Sequence, residues 1–289
     1  YVVIGEGEET IKELIKALQS GSDPAGVKSI AYKDGERTVV TSPRDPVLDF
    51  EKYPLPDFAL VRYANLSLYP VERIRGCGMD CEFCTVKGKP RCALPERLLE
   101  HIGILLETRD ARHFFIVDDL FGQQRDETIR FCAMLRDYQK TVGRRLDFTV
   151  QIRLDKATDQ ELLSAMRGAG INTVAIGFES PIAEELAVMR KHVKPDDMIR
   201  LARTFHKAGF LVHGMFIFGY PMAEGSTFTM SAAERVHRYR TFIRKARVDT
   251  VQVLLPVPLP GTELRERLEK QKRVYSIEDV GWEYYDGNF

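Results

Sequence analysis

Apolar residues fall in short runs, separated by longer stretches in which they recur every three or four positions. The runs Val71–Arg75, His113–Val117, Phe148–Ile152, Thr173–Phe178, Leu211–Phe218 and Thr250–Leu255 read as strands. Between them, Phe131, Met134, Leu135 and Tyr138 share one helical face. So do Leu162, Ala165, Met166 and Ala169, and again Met198, Leu201, Ala202 and Phe205. Gly170 and Gly209 follow two of these helices and suit left-handed ends. Strands alternating with helices predict an α/β fold with a parallel sheet, and right-handed crossovers curl it into a partial (β/α)6 TIM-like barrel. Chemistry in such a barrel belongs at the C-terminal ends of the strands.

The earlier part of the chain differs. Residues 1–20 read as a strand from Tyr1 to Ile4, a Gly-Glu-Gly-Glu turn and a helix from Glu9 to Leu18. Residues 21–70 hold a hairpin, Ile30 to Val40, turning on Asp34-Gly35, and then a linker carrying Pro43, Pro46, Pro54 and Pro56. Residues 71–289 form the βα core. Neither end carries a boundary signal, so a piece of a longer protein is expected.

Composition narrows the function. The 289 residues are 44% hydrophobic and 29% charged, ordinary for a chain that buries a sizeable core. Lys+Arg and Asp+Glu balance at 42 each, which gives no general attraction to nucleic acid or to an anionic membrane. No apolar run approaches the ~20 residues of a membrane span, and no secretory signal is visible. Five cysteines in such a chain point to reduced thiols and to metal or redox chemistry.

Three of them form Cys77-x3-Cys81-x2-Cys84, on a loop that leaves the first core strand. Thiolates are the usual ligands of iron–sulfur clusters, and three of them leave one iron open. The alternative is zinc, which wants four ligands; no second C-x2-C follows, and Cys92 lies beyond Pro90-Arg91 where the loop leaves the site. Other polar residues collect on the same rim. Asp118-Asp119 end the second strand, Arg153 and Asp155 the third, Gly177 to Ser180 the fourth, and Gly219-Tyr220-Pro221 the fifth. Each has a plain structural reading as well. Either aspartate caps the following helix, Arg153 pairs with Asp155, Lys191 and His192 are solvated helix-end charges, and Cys132 packs inside a helix.

The cysteine spacing, with Phe83 before the last cysteine, resembles the signature of the radical S-adenosylmethionine (SAM) superfamily, over about residues 71–265. The resemblance implies a 4Fe–4S cluster on Cys77, Cys81 and Cys84, with SAM chelating the open iron. Cleavage of SAM by the reduced cluster then gives a 5′-deoxyadenosyl radical that abstracts hydrogen from substrate. It places Phe83 beside the cofactor, Asp118 and Asp119 near the SAM amino group, and Arg153 at its carboxylate. Glu179 and Ser180 fall near its ribose and methionine parts, with the Gly219 backbone near adenine. Lys191 and His192 are similarly placed in relatives, and Pro260-Gly261-Thr262 is a frequent close to the last strand.

Val2-Val3-Ile4-Gly5-Glu6-Gly7-Glu8-Glu9-Thr10 resembles the last strand and turn of the Rossmann-like cobalamin-binding domain fused to one branch of that superfamily. This implies a remnant of that domain in residues 1–20, with cobalamin belonging to the full-length protein and methyl transfer as the commonest chemistry. A small-molecule or peptide substrate is expected, with an electron donor such as flavodoxin or ferredoxin, no nucleic acid and no membrane, in an oxygen-protected cytoplasm. The aromatic tail Trp282–Phe289 is placed either at the substrate mouth or over apolar surface. One alternative is an RNA-modifying enzyme such as a methylthiotransferase, which would prefer a basic face and a second cluster. The other is a non-catalytic iron–sulfur or zinc protein, which would close its site with a fourth ligand.

Overall fold

Hydrophobic runs and their spacing set the order of elements in the computed structural model, which describes residues 1–276 and residue 281; the aromatic segment 282–289 lies outside the described residues. The chain divides into two units, Tyr1–Asp57 and Phe58–Phe289.

In the first unit, strand β1 (Val2–Val3) leads into helix α1 (Glu8–Ser20), and strands β2 (Ile30–Asp34) and β3 (Arg37–Val40) form the expected hairpin. The three strands make an antiparallel sheet in the order β1-β2-β3. Leu14, Val27 and Ile30 close a small core between helix and sheet. Gly21 ends α1 in a left-handed conformation, returning amide bonds to the last turn.

The second unit carries the chemistry. Its elements are β4 (Tyr69–Val71), β5 (Ile74–Arg75), β6 (Arg91–Cys92), α2 (Pro95–Arg109), β7 (His113–Phe121), α3 (Arg125–Val142), β8 (Asp147–Ile152) and α4 (Gln160–Gly168). There follow β9 (Ile171–Glu179), α5 (Ala183–Val188), α6 (Pro195–Lys207), β10 (Leu211–Ile217), α7 (Ala232–Ala246), β11 (Thr250–Leu254) and α8 (Glu263–Lys270). Among the described residues six strands form one parallel sheet in the order β11-β10-β9-β8-β7-β4, so within the sheet chain order is kept, with β5 and β6 set apart between β4 and β7. The structure is thus the parallel α/β sheet expected; β4 and β11 form its edges, with no pairing between them among the described residues.

Burial follows the periodicity. Phe131 and Leu135 of α3, Leu162 and Met166 of α4, and Met198, Ala202 and Phe205 of α6 are buried against the sheet. Phe114 stacks on Phe148 at 5.1 Å and Phe178 on Phe216 at 5.4 Å, tying neighbouring strands face to face. Each such side chain contributes roughly 1.5–3 kcal/mol by leaving water. No helix among the described residues is long and apolar enough to cross a membrane.

One element departs from expectation. The run read as a single strand, Val71–Arg75, is split. Tyr69–Val71 pairs with β7, after which Ile74–Arg75 turns away and pairs antiparallel with Arg91–Cys92. The cause lies on β7: the Asp118 carboxylate accepts the amides of Arg73 and Ile74 at 2.6 and 2.8 Å, replacing ladder bonds at that point. The break launches the cysteine loop over the end of the sheet.

Candidate functional site

The loop between β5 and β6 is held by its own backbone, by Lys87 and by Asp119 of β7. Gly76 donates to the Asp119 carboxylate at 2.6 Å, and Gly78 to the Gly88 carbonyl at 3.1 Å. Gly76 has a φ of 86°, and a Cβ there would stand 3.0 Å from the Lys89 carbonyl, so only glycine fits without displacement. Within the turn, the Cys84 amide donates to the Cys81 carbonyl at 3.2 Å, and the Val86 amide to Cys84 Sγ at 3.3 Å. Lys87 Nζ adds a bond to the Cys81 carbonyl at 3.1 Å.

Cys77, Cys81 and Cys84 are free thiols on the wall of one cavity of ≈ 280 Å³. Burial pushes the Cys81 thiol above its ordinary pKa, and does the same for Cys84 against the opposing Val86 amide. A bound cation reverses that logic and deprotonates a coordinating thiol. Among the described residues no three His, Cys, Asp or Glu side chains converge as a single-metal site. A cluster asks for less convergence, because it takes one thiolate on each of three separate irons.

The opposite walls come from the C-terminal ends of the strands. Phe83, Asp119, Arg153 and Glu179 line the same cavity as the three cysteines, with apolar Ile152, Ile176 and Met215 toward the sheet. Arg153 bonds Asp155 at 3.0 Å and rests its other arm on Met79 Sδ of the cysteine loop at 2.6 Å. Glu179 ends β9 with a φ of 62°, a left-handed conformation that a glutamate adopts only under constraint. Its carboxylate lies 3.0 Å from Lys191 Nζ, which also donates to the Gly177 carbonyl at 3.2 Å. Burial pulls the Lys191 pKa down, but the charge and hydrogen bond of Glu179 more than offset it, so the ammonium is retained.

Three of the expected residues lie elsewhere. Asp118 is buried beneath the loop and bonds Arg73 and Ile74, as described, outside the cavity lining. Ser180 is fully buried, with its hydroxyl on Glu185 and accepting the Ile182 amide at 3.1 Å. Gly219 takes a φ of 80° with open space around it and does not line the cavity. Cys92 on β6 and Cys132 in α3 also lie off the cavity.

Two contributors had little signal in the sequence. Lys191 reads there as a solvated helix-end charge unless the resemblance is followed, and it stands on the cavity wall against Glu179. Glu82, between two of the cysteines, is buried and bound to Arg267, 185 residues along the chain. A glutamate flanked by Cys81 and Phe83 was the one available hint.

Asp118 carries a pH-dependent cost. Burial raises its carboxyl from 3.8 to about 6, against the lowering effect of the two amides and of Arg73. A carboxyl whose value rises on folding contributes stability that is whole below about pH 4 and is lost as pH climbs through 6. Asp118→Asn keeps an acceptor and does not ionise. Between pH 4 and 7 the wild type is expected to lose about 2 kcal/mol relative to that variant. Urea unfolding at both pH values checks this, and parallel pH slopes for the two proteins would refute it.

The radical SAM superfamily profile matches residues 71–228, more than half of the chain. An uncharacterized methyltransferase of Pyrococcus horikoshii is 28% identical over 92% of this chain and 57% of its own length. The hopanoid C-2 methylase of Rhodopseudomonas palustris is 27% identical over 95% of this chain and 49% of its own. The chain therefore spans about half the length of the curated relatives it matches. Among solved structures, the radical SAM methyltransferase TsrM of Kitasatospora setae superposes with a TM-score of 0.72 at 19% identity, over 93% of this chain and 54% of that one. The cobalamin-dependent enzyme OxsB gives 0.62 at 19% identity, over 98% and 40%. At that identity, both likenesses establish the fold.

Proposed function

The chain belongs to the radical SAM superfamily, whose members hold a 4Fe–4S cluster and SAM, and on that premise we propose that Cys77, Cys81 and Cys84 hold the cluster here, serving cobalamin-dependent methyl transfer in the full-length protein. The observation that carries the reading is the single cavity. Three free thiols line one wall, and two carboxylates, two guanidiniums and an ammonium line the others. That donor set suits a cluster on one side and a zwitterionic amino-acid group on the other. Bound there, the cluster supplies the electron that cleaves SAM to a 5′-deoxyadenosyl radical.

The chain's own groups bind and orient. Asp119 presents a carboxylate to the SAM ammonium, and Arg153 a planar fork to its carboxylate. Glu179, fixed by Lys191 and by its left-handed backbone, accepts from the ribose hydroxyls. Phe83 and the apolar floor of Ile152, Ile176 and Met215 exclude water around the reactive end. Gly219, outside the cavity lining, leaves its backbone unobstructed at the end of β10. Asp118 and Ser180 act from beneath, as positioning residues for the cysteine loop and for the Glu179 turn.

Methyl transfer is supported by the relatives named as methyltransferases, and cobalamin by the descriptions of TsrM and OxsB. Residues 1–20 are read as the trailing edge of the cobalamin-binding domain, where β1 runs through Gly5, with a φ of 79°, into α1. The enzyme needs a reductant, and a flavodoxin or ferredoxin in an oxygen-protected cytoplasm fits. Its substrate is a small molecule or peptide that presents an unactivated position.

Anaerobic reconstitution with iron and sulfide, then dithionite and SAM, is expected to yield 5′-deoxyadenosine. A protein that loads a four-iron cluster yet leaves SAM intact would overturn the reading. Full-length protein supplied with cobalamin is expected to retain cobalt through gel filtration; loss of the cobalt would remove the cobalamin part alone.

A further inference from the structure

The cysteine loop is anchored from outside the cavity by one buried ion pair. Glu82, 5% exposed, sits between Cys81 and Cys84 and meets Arg267 of α8 in a two-pronged contact, Nε to Oε1 at 2.6 Å and Nη2 to Oε2 at 3.0 Å. Tyr220 donates its hydroxyl to the same carboxylate at 2.6 Å. The remaining Arg267 donors reach the Met222 and Pro221 carbonyls at 2.9 and 3.1 Å. The backbone joins in: Leu264 donates to the Glu82 carbonyl at 3.2 Å. Phe83 packs edge-on to Tyr220 at 6.2 Å.

Stability alone does not account for this arrangement, because a buried pair of charges is often no more stabilising than apolar side chains of the same volume. What the pair supplies is a fixed geometry and a local balance of charge, beside residues that hold redox-active iron. Cluster potentials respond to nearby net charge. Resting on the cluster reading above, we propose that Glu82 and Arg267 are a positioning pair that fixes Cys81 and Cys84 and sets the potential of the cluster they hold.

The signs follow from Coulomb's law. Glu82→Gln leaves Arg267 unbalanced and favours the reduced cluster, raising its potential. Arg267→Met leaves Glu82 unbalanced and lowers it. The double variant restores neutrality and returns the potential close to wild type, although its loop is held less firmly.

The test is a redox titration of the reconstituted chain, followed by electron paramagnetic resonance, on wild type, both single variants and the double. Opposite shifts in the singles with recovery in the double support the pair. Shifts of one sign, or none, overturn it, since a merely structural contact changes iron content without sorting potentials by charge. Should a single variant hold no cluster, Glu82→Asp and Arg267→Lys decide. Both keep their charges, so a wild-type potential with reduced iron occupancy supports the proposal, and a displaced potential refutes it. A wild type that takes up no four-iron cluster refutes the cluster reading itself, a distinct result.

Discussion

Cys81→Ala is expected to cut 5′-deoxyadenosine formation by more than about a hundredfold, beyond the ~10–100-fold that loss of an outer-shell partner costs at a metal site. Cys81 is the most buried of the three thiols, and its carbonyl receives both the Cys84 amide and Lys87. Without its sulfur two ligands are left for a cluster that already keeps one iron open. Iron content should fall with activity, while unfolding by urea stays near wild type, because a cysteine-to-alanine change removes one buried atom. Cys92→Ala is the control: Cys92 lies on β6, off the cavity, and the variant should keep both iron and activity. Equal loss in the two variants would mean that the ligand set is wrong.

Glu185→Ala is expected to destabilise the core unit by about 3–5 kcal/mol, the cost of breaking one buried ion pair from one side. Glu185 is fully buried and pairs with Arg235 of α7, whose side chain is 12% exposed. It also receives the Ser180 hydroxyl, while Tyr239 donates to the Ile217 carbonyl at 2.6 Å beside it. Truncation strands a guanidinium in the interior and frees the turn that follows Glu179. A lower urea midpoint and weaker SAM binding should appear together. Replacing both partners, Glu185→Leu with Arg235→Met, should recover much of the stability and little of the binding. A single variant with an unchanged midpoint would show that the pair is solvated in solution.

The parallel strands were legible because a sheet covered by helices writes its strands as apolar runs, and the helices as one-sided stripes. Leu162 with Met166, and Met198 with Phe205, fell on the buried faces their spacing implies. The split of Tyr69–Arg75 was not legible, since it depends on Asp118, 44 and 45 residues distant, competing for two amides. The cysteine loop announced itself by chemistry and spacing alone. Its supports did not. Arg267 looks like any helix charge until the fold brings it to Glu82, and Lys191 like a helix end until Glu179 turns back. Pairings across long sequence separation leave no periodic trace, so the cavity could be located from sequence while its electrostatics could not.

The side-by-side order of the strands along the sheet has a consequence for biogenesis. During synthesis the chain delivers the three thiols first, and the cavity walls arrive one βα unit at a time, through Glu179 on β9 and Met215 on β10. Arg267, which pins the thiol loop, comes near the end of the core. Iron delivered to the nascent chain would meet thiols on an unsheltered loop, open to oxygen and to disulfide exchange. If the three thiols hold a cluster as proposed, this order of elements favours loading after the core has folded.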